Sequence, residues 1–400
     1  MTPAVPSGVP AAITASDTSR PLVDVRDLHV DYPVGGFSLR RQRGVIRAVD
    51  GVDLAIPRGT TLGLVGESGS GKTTAGRAIV RLLDPTSGSI QFDGQEIATL
   101  GGEPLRRLRK RFQMIFQDPY SSLNPRMTIA GIVGEALVIH GIGTRKEQAD
   151  RVAELLHLVG LPQRAADRYP HQFSGGQRQR VGVARALAVD PDLIVADEPV
   201  SALDVSIRAQ ILNLLVRLQD RLDLTYIVVS HDLAAVRRIS DVVAVMYLGR
   251  IMELAPTARL FGGALHPYTI ALISAVPIPD PALQVGRRRI ILTGEIPSPA
   301  DPPSGCHFHT RCWLYRRLGE PERCRAERPP LSDMGAGHAA ACHFSADVEG
   351  TPEQRQAMGG GMPTAVGQAT ETGAAQPGSA DDGATAMTSD DDTTGVDETG

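Results

Sequence analysis

No stretch of this 400-residue chain approaches the roughly 18 consecutive apolar residues that a membrane-spanning helix needs. The longest apolar runs, such as Val242–Leu248, have the length of a buried strand. The first twenty residues have neither a basic start nor an apolar centre, which argues against a secretory signal and predicts a chain made and kept in the cytosol. Aromatic residues make up only 4%, too few for a base-stacking surface. The net charge of -4 supplies no basic field for nucleic acid. Cysteine is absent except for four residues between 306 and 342; in a reducing compartment such clustering favours metal ligation over disulfides. No internal repeat of solenoid length is present.

What remains is an ordinary globular composition, 42% hydrophobic, long enough for one large domain and a smaller one. Residues 1–20 predict a disordered leader. Residues 349–400, rich in Gly, Ala, Thr, Pro and Asp with ten acids against one Arg, predict a disordered acidic tail. Between them, short apolar runs alternate with helical patterns, which predicts an α/β core. Leu62–Val65, Leu193–Ala196 and Thr225–Ser230 read as buried strands. Lys72 to Leu83 reads as a helix stopped by Asp84-Pro85. Val242–Tyr247 and Ile251–Leu254 around Leu248-Gly249-Arg250 read as a hairpin. Residues 120 to 190 predict a mostly helical lobe.

Gly66-Glu67-Ser68-Gly69-Ser70-Gly71-Lys72-Thr73, followed by Thr74, matches the G-x-x-x-x-G-K-[ST] phosphate loop, with a strand before it and a helix after it. Glycines let backbone N–H groups converge on phosphates, and the helix start adds partial positive charge. Lys72 is expected to reach the β- and γ-phosphates, and Thr73 to ligate Mg²⁺. The run Leu193–Ala196 ends in Asp197 and Glu198, where α/β sheets bind ligands. Asp197 is expected in the Mg²⁺ shell, with Glu198 polarising the attacking water. Phe173-Ser174-Gly175-Gly176-Gln177 forms a second anion-binding helix start, with Ser174 as N-cap. One nucleotide does not need two cradles from one chain, so a head-to-tail dimer with shared sites is expected.

At these residues the chain resembles the ABC ATPases, over roughly residues 22 to 345. Ser174-Gly175-Gly176-Gln177 resembles their signature motif, with Phe173 where many relatives have Leu. The resemblance implies further roles: Tyr32 stacking on adenine, Gln117 as the Q-loop glutamine sensing Mg²⁺ and γ-phosphate, Ser201-Ala202-Leu203-Asp204 as the D-loop, and His231 as the switch histidine. It implies a P-loop ABC ATPase core over 21–265, with a helical lobe and an antiparallel β portion.

Three segments resemble the oligopeptide/dipeptide importers in particular: Gln117–Arg126, His266-Pro267-Tyr268-Thr269, and the cysteine segments Gly305–Cys312 and Ala341-Cys342-His343. The resemblance implies a C-terminal extension over 266–348. The insertion Gly35–Arg47 and the run Ser274–Pro281 resemble the F-type subunit, implying a D-type ATPase partner, two membrane permease subunits, an external solute-binding protein and a place on the cytoplasmic face of the membrane. Cys306, Cys312, Cys324 and Cys342 lack the close pairs usual for structural zinc. Their spread suits a 4Fe–4S cluster, with zinc or free thiols as alternatives. Rival readings are an importer of nickel or glycosides, a soluble ABC ATPase of repair or translation, and a non-hydrolysing regulator. The single ATPase domain, the lack of a long coiled coil and the intact Lys72, Asp197, Glu198 and His231 weigh against the last two.

Overall fold

The computed structural model describes residues 20–34, 44–276 and 289–348, together with Thr351 and Gln354. The expected leader, most of the insertion at Gly35–Arg47, part of the run Ser274–Pro281, and nearly all of the expected tail lie outside the described residues. Thr351 and Gln354 are buried, and Gln354 Nε2 donates to the Ala264 carbonyl at 2.8 Å.

The elements follow in the order β1 (Val23–Val34), β2 (Gly44–Ile56), β3 (Thr61–Val65), α1 (Lys72–Ile79), β4 (Ser87–Phe92), β5 (Gln95–Glu96), α2 (Gly102–Leu108) and β6 (Phe112–Ile115). Then come α3 (Ile129–Ile139), α4 (Arg145–Leu158), α5 (Gly175–Leu187), β7 (Leu193–Asp197), α6 (Val205–Leu222), β8 (Thr225–Ser230), α7 (Leu233–Ile239), β9 (Val242–Tyr247), β10 (Arg250–Pro256), α8 (Thr257–Gly263) and α9 (Pro267–Ser274). Two short strands, β11 (Ser332–Asp333) and β12 (Ala339–Ala340), lie near the C-terminal end of the described chain.

The main sheet runs β11-β12-β10-β9-β3-β8-β7-β6, and β9-β3-β8-β7-β6 are mutually parallel. Strands β3, β7 and β8 are buried throughout, which explains their unbroken apolar runs. Their side chains alternate between two cores. Val195, Ile227 and Val229 join α1 and the second sheet, whereas Ile194, Ala196, Tyr226 and Val228 join the helices α3 to α6. The second sheet is the expected antiparallel portion, in the order β2-β1-β4-β5, and α1 packs in the core between the two sheets.

The helical lobe comprises α3, α4 and α5, capped by Thr128, Thr144 and Ser174, the last two as capping boxes. Helix α5 begins at once after Ser174. Helix α1 ends at Ile79 rather than Leu83. Arg81 adopts a left-handed φ of 51° and its guanidinium donates to the carbonyls of Ile97 and Leu100. Those distant acceptors end the helix before Asp84-Pro85 does. The expected hairpin is β9 and β10, joined by Leu248 (φ 43°) and Gly249 (φ 80°), the all-positive pair of a tight two-residue turn.

Residues 266–348 share a core with the sheet. Tyr247 of β9, Tyr268 of α9 and Phe308 form an aromatic triad with centroids 4.8–5.4 Å apart. Strand β12 pairs with β10. Glu253 of β10, fully buried, accepts from the Leu265 and His266 N–H groups and contacts His338 Nε2 at 2.6 Å.

Candidate nucleotide site

The loop between β3 and α1 has backbone that only glycine adopts freely. Gly71 has φ 99°, and a Cβ there would lie 2.0 Å from the Ala48 carbonyl oxygen. At Gly66 a Cβ would lie 2.1 Å from the Met246 carbonyl oxygen. The loop is thus laid directly on the backbone of β2 and on the C-terminal end of β9. Gly71 is the N-cap of α1 and offers no side-chain cap, so the first N–H groups of the helix stay open to an anion.

Lys72 is 5% exposed, and burial lowers its ammonium pKa, partly opposed by Glu198, Asp197 and Glu67. Its Nζ donates to the carbonyls of Gly66 and Glu67, each at 2.8 Å, and to Ser70 Oγ at 3.3 Å. The ammonium therefore rests on the loop's own acceptors, inside the cradle where phosphate oxygens would compete for it.

Thr73 Oγ1 donates to Asp197 Oδ1 at 2.8 Å. Asp197 ends β7 with no exposure, and burial raises its carboxyl pKa. Its Oδ2 has no hydrogen-bond partner, though Arg77 lies 3.5 Å away. A buried carboxylate oxygen without a donor, beside a hydroxyl and next to a phosphate cradle, fits a site for a hard divalent cation.

Glu198 follows in a left-handed conformation, φ 45°, fixed by its N–H to the Val229 carbonyl at 2.8 Å. Its side chain lines the cleft, whereas Asp197 is buried against Thr73. Its Oε2 accepts from Gln117 Nε2 at 2.8 Å, and its Oε1 lies 2.9 Å from His231 Nδ1. Gln117 follows β6 and His231 follows β8, so three parallel strand ends deliver one polar cluster. A cleft of about 250 Å³ joins these parts, lined by Ser68, Gly69, Gly71, Lys72, Thr73, Thr74, Gln117 and Glu198.

Five lining residues escaped the sequence reading: Ile46, Arg47, Ala48, Gly249 and Pro299. The first three arrive through strand pairing with β1, and Pro299 through the fold of the C-terminal segment, so no local pattern marks them. Tyr32 does not line the cleft. It lies on β1, 40% exposed, and its cross-strand partner Ile46 lines the cleft instead.

Ser174, Gly175, Gly176 and Gln177 also lie outside the cleft lining. Ser174 Oγ accepts the Gln177 N–H at 3.4 Å, and Gln177 Oε1 accepts the Ser174 N–H at 3.1 Å. Gly176 packs so closely on α6 that a Cβ would meet Ile207 at 2.4 Å. Asp204 N-caps α6 in an exposed position without a side-chain cap bond, followed by Val205, an apolar side chain at 80% exposure.

Cys306, Cys312 and Cys324 are buried, Cys342 is half-buried, and none is bridged. Burial pushes the Cys306 thiol up to about 11 and that of Cys342 up to about 12. Each of these two thiols feels Cys324, and Cys342 and Cys312 also feel Cys306, so the four sulfurs share one region. Among the described residues, however, no three His, Cys, Asp or Glu side chains stand together as a set that could hold a metal ion. As arranged, the thiols do not fit the expected cluster.

A phosphate loop, a buried acidic strand end and a Gln–Glu–His cluster on one parallel sheet define a P-loop nucleotide-binding protein. Residues 49–201 match the family model of the ABC transporter, and residues 252–317 match that of the oligopeptide/dipeptide transporter C-terminal region. The chain is 50% identical over 324 residues to the oligopeptide transport ATP-binding protein AppF of Bacillus subtilis, covering 81% of this chain and 97% of that one. Among solved structures it is similar to the ATP-binding cassette MJ0796 in a dimeric post-hydrolysis state bound to ADP and Pi (31% identity, TM-score 0.53, covering 59% of this chain and 98% of that one). It is also similar to cbiO1 of Clostridium perfringens, part of the transporter complex cbiONQ (27% identity, TM-score 0.53, covering 61% and 91%). The chain belongs to the ABC-transporter ATP-binding proteins, in the group that carries the oligopeptide/dipeptide C-terminal region. It is an ATPase, with ATP and Mg²⁺ as the ligands its cleft is built for. No helix among the described residues is long and apolar enough to cross a membrane.

Proposed function

We propose that this chain hydrolyses ATP to power import of oligopeptides or dipeptides. The observation that carries the reading is the meeting of Gln117 and Glu198 with Lys72 and Thr73 at one cleft, with His231 bonded to Glu198, in a chain 50% identical to an oligopeptide transport ATP-binding protein. In this proposal Ser68 to Thr74 wrap the phosphates, and Lys72 leaves the loop carbonyls for phosphate oxygens. Thr73, Asp197 and Gln117 would hold Mg²⁺, which supplies charge neutralisation on the phosphates when bound. Glu198 orients and polarises the attacking water, and His231 and Gln117 hold the Glu198 carboxylate in place. Ile46 borders the adenine, and Tyr32, its cross-strand neighbour, would have to turn towards the cleft to stack on it.

The exposed Ser174 and Asp204, with Val205 beside it, support a head-to-tail partner whose signature completes this cleft while this signature completes the partner's. We assign that partner to a D-type ATPase, with this chain as the F-type, residues 21–265 as its nucleotide-binding domain and 266–348 as its extension. Leu82, Phe116 and Ile139 are 36–54% exposed and line one groove, and Phe116 adjoins Gln117. This apolar surface supports docking of a cytoplasmic segment of the two permease subunits, which would place the chain on the inner face of the membrane and bring solute from an external binding protein. Cys306, Cys312, Cys324 and Cys342 are not set as ligands in the arrangement described, so a 4Fe–4S cluster would have to draw them together; only their spacing and shared burial support it. Iron and acid-labile sulfide analysis of anaerobically purified protein tests it, and their absence removes it.

The function is tested by reconstituting the chain with its partner ATPase and permeases in vesicles. Peptide uptake that requires ATP, and stops with Glu198→Gln, supports the reading. ATPase stimulation by nickel or a glycoside but not by peptides would replace the solute.

A further inference from the structure

The C-terminal extension reaches the phosphate loop directly. Arg311, 7% exposed, grips Glu67 through two hydrogen bonds, Nη1 to Oε2 at 2.7 Å and Nη2 to Oε1 at 3.2 Å. The backbone N–H of the same Glu67 donates to the Tyr268 hydroxyl at 2.8 Å. Tyr268 is itself immobilised, fully buried against Tyr247 and Phe308. The Glu67 carbonyl is one of the acceptors that holds Lys72 Nζ. One residue of the loop is therefore held at side chain and N–H by the extension, and presents its carbonyl to the phosphate-binding lysine. Pro299 of the same extension borders the cleft.

We infer that the extension is a positioning element of the nucleotide site: Arg311 and Tyr268 hold Glu67, and so preset the phosphate loop and the resting place of Lys72. The physical argument is preorganisation. A glycine-rich loop left free must be ordered when nucleotide binds, and ordering even one residue's backbone costs about a factor of ten in affinity. A bidentate guanidinium–carboxylate pair restricts both position and rotation, and Tyr268 is rigid because it is packed on all sides. Glu67 has no part in the phosphate-loop pattern, which leaves its position free; here its side chain is turned away from the cleft and into the extension. Arg311 and Tyr268 touch no nucleotide in this inference and act only through Glu67. The inference rests on the reading of this cleft as the ATP site.

The test is a titration of MgATP against the full-length chain for Arg311→Gln, Glu67→Gln, the double variant and Tyr268→Phe. Leu314→Ala, buried in the extension's core and with no hydrogen bond to Glu67, serves as the stability control. Arg311→Gln and Glu67→Gln each weaken MgATP binding about tenfold, and the double variant is no worse than either single, because one contact has been removed twice. Tyr268→Phe weakens binding a few fold. Leu314→Ala lowers the melting temperature without changing affinity. Wild-type affinity in Arg311→Gln and Tyr268→Phe overturns the inference, as do additive effects of Arg311→Gln and Glu67→Gln. Should Arg311→Gln not fold, Tyr268→Phe, which removes a single oxygen, decides alone. Failure of the underlying site looks different: the wild-type chain would then bind MgATP no better than Lys72→Ala.

Discussion

Glu198→Gln is the most discriminating single substitution at the cleft. The amide has the shape of the carboxylate, so the left-handed turn at φ 45° and the N–H bond to Val229 are retained. An amide oxygen can still accept from Gln117 Nε2, and the amide N–H₂ can donate to a neutral His231 Nδ1, the two contacts now made at 2.8 and 2.9 Å. What is lost is the negative charge and the basic oxygen that draws a proton from water. A positioned general base contributes about 10²–10⁴-fold, so turnover should fall by that factor, about 2.7–5.4 kcal/mol in barrier height. Nucleotide affinity should change far less. Lys72, Thr73 and Asp197 are untouched, and removing a carboxylate also removes a like charge beside Asp197. The assay is steady-state phosphate release by the reconstituted transporter, paired with MgATP titration of the purified chain. Turnover within about threefold of wild type would refute the role given to Glu198 and leave the Gln117–Glu198–His231 cluster as mere packing.

Lys72→Ala should weaken MgATP binding by about 1.5–3 kcal/mol, the worth of hydrogen bonds to a charged group, and calorimetric titration reads this directly. Gly71→Ala places a Cβ 2.0 Å from a backbone oxygen at φ 99°, so the loop must shift; binding should fall at least about tenfold while the melting temperature drops by only a few degrees. Burial pushes the His266 imidazole down to about 4 against the opposing pull of Glu253. Its Nδ1 must stay neutral to accept the Tyr268 N–H that caps α9. The unfolded imidazole titrates near 6.5, so this contribution is intact above about pH 6.5 and is lost as pH falls towards 4. His266→Asn, which caps without titrating there, should flatten the melting temperature between those values; an unchanged slope would clear His266 of the effect.

Much of the site was legible because its chemistry is local. The phosphate loop, the Asp197-Glu198 strand end and the capped start at Ser174 each occupy a few consecutive residues, and the buried strands β3, β7 and β8 announce themselves by continuous apolar runs. The parts that escaped depend on distant partners. Ile46 and Arg47 line the cleft by sheet register, a property of pairing with β1 across a segment that looks like an insertion. The end of α1 is set by carbonyls at 97 and 100, where sequence offered only a later proline. Arg311 and Glu67 are widely separated in the chain, and an Arg beside a cysteine segment carries no mark of its partner. The cysteines show the converse: a spacing suggestive of a cluster, in a fold that gathers the thiols without setting them as ligands.

Glu253 gives the extension a significance beyond the cleft. Its carboxyl sits at zero exposure on a strand of the main sheet, and its partners, the N–H groups of Leu265 and His266 and the ring of His338, lie on both sides of the boundary proposed at residue 265. Strand β12 pairs with Glu253 and Leu254 on the open side of that same strand. A chain cut short at residue 265 would keep a carboxyl group in an apolar interior without its His266 and His338 contacts and would unpair β10 around Met252–Leu254. Such a fragment should be less stable and more prone to self-association than the whole chain, which ties the stability of the sheet to the residues that follow it.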